Sequence, residues 1–91
     1  VNKGAGWATA QYCRFGDWVM IKGLVKPSVN VSAGATILTL PSNIRPSEHR
    51  RFVGTAADVA TNLDVLSTGI VSVNHPVNVG QVASIECIYK L

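Results

Sequence analysis

Apolar residues in this chain fall in short alternating runs cut by Gly, Pro, Asn and Ser at intervals of roughly eight to twelve residues, and no window carries them at i, i+3, i+4 and i+7. A period of two with frequent breaks puts one face of an extended segment against a core and then ends that segment. The predicted fold is therefore all-β, a compact antiparallel β-barrel or sandwich of about six to eight short strands. Strands are expected over residues 8–15, 18–25, 35–40, 51–57, 62–66, 70–74 and 83–89. The first two form a hairpin across Gly16-Asp17. Longer loops fall at 27–34 and 75–82.

Between the third and fourth strands lies Thr39-Leu40-Pro41-Ser42-Asn43-Ile44-Arg45-Pro46. Each proline fixes its own φ near −65° and pushes the residue before it toward extended backbone, so the segment is neither helix nor a good continuation of a sheet. It is a rigid corner, expected to hold the shape of the barrel rather than to bind a ligand.

At 91 residues the chain is expected to form a single domain. A domain of that size buries only about 60–65% of the surface its unfolded chain exposes, so support from neighbouring subunits is expected. Apolar residues make up 47% of the chain and charged ones 14%, which excludes a disordered charged tail. The net charge of +3 comes from basic residues scattered along the sequence, which does not point to nucleic acid. No uninterrupted apolar run is long enough to cross a bilayer, and membrane insertion is not expected. The start at Val1 suggests the C-terminal piece of a longer protein. Cys13 and Cys87 each sit in a strand pattern without metal-ligand spacing and read as small core residues rather than a disulfide.

The segment 18–25 is apolar on both faces. Val19, Ile21 and Val25 alternate with Trp18, Met20 and Leu24, and Lys22 is its single charge before Lys26. One set fills the core, and the other (Trp18, Met20 and Leu24) is expected to pack on another subunit.

Register can be derived in the hairpin 62–75. With a three-residue turn Ser67-Thr68-Gly69 and Gly69 in the left-handed position, Leu66 faces Ile70, Val65 Val71, Asp64 Ser72, Leu63 Val73, and Asn62 Asn74. Like then meets like at every pair, whereas a two-residue turn sets Asp64 opposite Val73. One face is apolar. The other gathers Asn62, Asp64, Ser72 and Asn74, with His75 at its end: a carboxylate, two amides and a hydroxyl. Such a set either binds the vicinal hydroxyls of a sugar or is a solvated outer face. It has no stacking aromatic of its own; Trp7 or Trp18 could bring one from elsewhere.

Catalysis is not expected. His49, Arg50 and Arg51 form no phosphate clamp, because adjacent strand residues point to opposite faces, and a structural role is expected for them. The sequence has no nucleophile elbow, no Gly-rich phosphate loop and no metal-ligand cluster, so no catalytic residue, metal or cofactor is assigned.

Tyr12-Cys13-Arg14-Phe15-Gly16-Asp17-Trp18-Val19 leading to Gly23, then Thr39-Leu40-Pro41 and Arg45-Pro46, the late hairpin and a closing strand ending in Ile88-Tyr89 form an ordered set. In that set the chain resembles, from Tyr12 to its end, the C-terminal receptor-binding heads of tail and baseplate proteins of phages of Gram-positive bacteria, the lactococcal phages among them. The resemblance implies a compact antiparallel β-barrel, a homotrimer on a stalk at the distal end of a phage tail, and binding of host cell-wall saccharide. Asp64 would match the acid of the family's late hairpin. Asn62 stands where a His is often found and Asn74 near the aromatic position, departures that imply a different sugar. Two other functions stay open: a ligand-free trimerising cap of a fibre, and a small barrel for single-stranded nucleic acid, at which only Tyr12 and Arg14 hint.

Overall fold

The computed structural model describes residues 10–91. Its strands are β1 (Gln11–Phe15), β2 (Trp18–Lys22), β3 (Leu24–Val25), β4 (Thr36–Thr39), β5 (Arg50–Ala56), β6 (Val59–Val65), β7 (Ile70–Val73), β8 (Ala83–Ser84) and β9 (Cys87–Lys90). The chain is all-β, as its patterning requires. Its strands make two antiparallel sheets, one of three strands in the order β1-β2-β9 and a curled half-barrel of six in the order β3-β8-β5-β6-β7-β4. The strand expected to begin at Ala8 begins at Gln11 among the described residues; Ala8 itself, like Trp7, lies outside them.

Two expected strands are each broken in the middle, and the breaks lie side by side. The run 18–25 is not one strand: Gly23, at a φ of +131° that only glycine adopts readily, ends β2 and starts β3. The run 83–89 breaks likewise at Ile85 and Glu86 into β8 and β9. Because β2 pairs with β9 and β3 with β8, both segments leave one sheet for the other at the same corner, where Ile85 N–H donates to Gly23 O at 3.1 Å. Leu24 therefore stands in the half-barrel beside Ser84, not in the sheet of Trp18 and Met20.

The two sheets enclose a core in which Val19, Ile21 and Tyr89 of the small sheet meet Leu63, Val65, Val71 and Val73 of the large one. The two-proline corner plugs the space between them. Its residues Leu40, Ile44 and Pro46 are buried, and a 3-10 turn spans Ser42–Ile44. Partners from across the fold hold it: Arg14 Nη1 donates to Asn43 O at 2.9 Å, Leu40 N–H to Gly69 O at 2.8 Å, and the Tyr89 hydroxyl to Ile44 O, while within the corner Arg45 Nε donates to Leu40 O at 3.0 Å.

The cysteine reading needs correction in part. Both thiols are free, but Cys13 is exposed rather than in the core. Its position opposite Met20, which in turn faces Ile88, places it on the outward side of the small sheet, whereas Cys87 sits opposite buried Ile21. Alternation decides this difference, and a short apolar run does not reveal its own phase.

Candidate functional site

The hairpin of β6 and β7 sets the geometry. Leu63 faces Val73, Asp64 Ser72 and Val65 Val71; Leu66 N–H donates to Ile70 O, Gly69 N–H to Leu66 O, and Asn74 N–H to Asn62 O. Gly69 has a φ of +90°. This is the three-residue turn and the register that like-with-like pairing predicts. Leu63, Val65, Val71 and Val73 are buried, so Asn62, Asp64, Ser72 and Asn74 belong to the outward set.

β5 supplies the partner that sequence reasoning passed over. Its hairpin with β6 closes through the two residues Ala57 and Asp58, both at positive φ, and this register sets Arg51 opposite Asp64. Arg51 Nε donates to Asp64 Oδ1 at 2.7 Å and Arg51 Nη2 to Oδ2 at 3.1 Å, a bidentate pair. The pKa of Arg51 is raised by the hydrogen bond to Asp64 first and by its negative charge second. A sequence signal for this pair did exist: any two-residue turn at 57–58 places 51 opposite 64. Ala-Asp lacks the Asn-Gly chemistry that would have revealed it.

A row thus runs across the outer surface from Arg51 through Asp64 and Ser72 to Thr36 of β4. A second row has Val53 opposite Asn62, whose carbonyl accepts from the Asn74 N–H. The members differ in availability. Asn74 is exposed and Asn62 and Asp64 are half-buried, while Ser72 retains only 6% of its surface and offers little of its hydroxyl. His75 lies past the end of β7, and its Nδ1–H donates to Pro76 O at 2.7 Å. Val53, 81% exposed, is the most open large apolar side chain among the described residues.

Chemically, this surface presents a fixed ion pair rather than a bare carboxylate. Each Asp64 oxygen keeps lone-pair capacity after accepting from Arg51, and the guanidinium keeps further N–H donors, so the pair can meet adjacent hydroxyls as acceptor and donor together. Two amides flank it. Val53 gives an apolar footing where a stacking ring is otherwise expected. The register places no aromatic ring on these outward positions among the described residues, and Trp18 lies in the other sheet.

The expected subunit contact divides. Trp18 and Met20 do share an exposed apolar face, joined there by Phe15, Cys13 and Ile88 through the register of the small sheet. Leu24 is not part of it. Among the described residues no cluster of His, Cys, Asp and Glu could hold a metal ion. No model of a known protein family matches the sequence, and no curated protein matches it.

Proposed function

We propose that this chain is a receptor-binding domain of a phage of Gram-positive bacteria, a homotrimeric head at the distal end of the tail that recognises host cell-wall saccharide on the outer face of β5, β6 and β7. The observation that carries the saccharide reading is the Arg51–Asp64 pair with Asn62, Asn74 and Val53 around it on rigid strands. Hydroxyl recognition needs donors and acceptors held in fixed positions, and a bidentate pair between neighbouring strands provides both without loss of side-chain freedom on binding. The phage assignment rests on the ordered motifs of the sequence.

The test is adsorption to host cells and binding of purified wall saccharide by Asp64→Ala and Arg51→Ala. Each is expected to lower saccharide affinity by at least about tenfold with an unchanged oligomer and a Tm close to the parent's. Undiminished binding by both variants removes this face as the site.

A ligand-free trimerising cap is the second reading. The exposed face of Phe15, Trp18, Met20 and Ile88 favours it, because that face supports association whether or not a sugar binds. A trimer that binds no wall saccharide would establish this reading. The nucleic-acid barrel ranks third: Arg14 donates to the carbonyls of Gly16 and Asn43, which ties the guanidinium into the fold.

A further inference from the structure

The half-barrel leaves a seam between its edge strands β3 and β4, which stand at opposite ends of the six-strand order. Loops 26–35 and 74–82 cross this seam and are latched there. Val31 and Val77 exchange backbone hydrogen bonds of 2.8 and 2.9 Å, Gly34 N–H donates to Val73 O at 2.9 Å, and Val79 N–H donates to Asn30 Oδ1 at 3.0 Å. Beneath the latch lies a pocket of about 130 Å³. Val25 and Ala83 line it from β3 and β8, Ile37 and Leu38 from β4, and Val31 and Val77 from the latch. Pro27 and Lys26 complete the lining, and the four-carbon stem of Lys26 is itself apolar.

We infer that this seam pocket is a binding site for a compact apolar group, an aromatic ring or short branched alkyl, separate from the polar outer face. Size is the first reason. The pocket, which opens in part to solvent, comes close to the volume of about 150 Å³ at which an engineered apolar cavity admits benzene. Chemistry is the second, since the side chains of Val25, Val31, Ile37, Leu38, Val77 and Ala83 that line the pocket are aliphatic and offer water no polar partner of their own. The third is the backbone of β4. Its register with β7 shifts between Thr36 and Leu38, and this irregularity lets consecutive residues Ile37 and Leu38 both pack against the core. A regular strand would have turned one of them outward.

The experiment is a titration of the whole chain with benzene, followed by methyl-detected NMR, and xenon pressurisation of crystals. Saturable shifts confined to the methyls of Val25, Val31, Ile37, Leu38, Val77 and Ala83, with millimolar affinity, are expected. Val31→Phe, which fills the pocket from its half-exposed lid, is expected to weaken benzene binding by at least about tenfold. Absent shifts, or shifts found only on the Phe15, Trp18 and Met20 face, overturn the assignment. Should Val31→Phe fail to fold, xenon in the unsubstituted crystal decides: density within the seam supports the site, and an empty seam refutes it.

Discussion

Gly69 joins the turn of the candidate hairpin to the two-proline corner. A Cβ at this position would stand 2.4 Å from Arg45 Nε and 2.9 Å from the carbonyl of Leu40, on backbone already at a φ of +90°. Swinging the arginine aside breaks its hydrogen bond to Leu40 O, and the carbonyl itself cannot give way. Gly69→Ala is expected to cost about 2–3 kcal/mol in urea denaturation through strain and displacement of the corner. Thr68→Ala, one residue earlier and exposed, should cost little.

Tyr89 holds the same corner from the other sheet. Burial pushes its phenol up to about 12 from 10.0, with repulsion from a Cys87 thiolate adding to it, and burial pushes the Cys87 thiol up to about 11 from 9.0. Both groups keep their protons in the folded state at pH values where the unfolded chain has lost them. Their contribution is therefore complete below about pH 9 and is lost as pH rises through 9–11 for the thiol and 10–12 for the phenol. Thermal melts of the parent should fall across these windows, and Tyr89→Phe should flatten the upper one. The same variant should lose about 1–2 kcal/mol near neutral pH by leaving the Ile44 carbonyl without its donor.

Among the elements, the β5–β6 hairpin has the turn least suited to its backbone. Ala57 and Asp58 adopt φ of 52° and 64°, a pair that Asn-Gly fills at lower cost. Ala57→Asn combined with Asp58→Gly is expected to stabilise the protein by about 1 kcal/mol in chemical denaturation while preserving the Arg51–Asp64 pair. The contrast with the β6–β7 hairpin explains what could be read in advance. There the residues of both strands and Gly69 agreed on a single register, and that register is the one observed. At 57–58 no turn residue announced itself, so the strand expected at 62 begins at Val59 and the partner of Asp64 escaped notice. Strand breaks behave similarly: Gly23 ends β2 through its own backbone, but that the break carries the chain into a second sheet depends on β8 and β9 parting beside it.

At the scale of the molecule, the small sheet presents Phe15, Trp18, Met20 and Ile88 to solvent at 48%, 44%, 43% and 49% exposure, contiguous across three strands. A patch of this composition is suited to self-association. The proposed trimer should appear as three times the monomer mass in light scattering at micromolar concentration, and Met20→Lys should shift it toward monomer without loss of strand content. A monomeric parent at that concentration would contradict the proposed assembly.

The all-β class, the corner at 39–46 and the pairing of residues 62–66 with 70–74 are legible in the sequence, because alternation, proline geometry and turn chemistry act within a few residues of one another. Long-range packing set the rest: the runs 18–25 and 83–89 each serve two sheets, Cys13 faces outward, Ser72 is largely covered and Asp64 is held by Arg51. Those outcomes depend on which strands become neighbours, and strand neighbours are chosen by how whole apolar faces close over a shared core, not by any local stretch of chain.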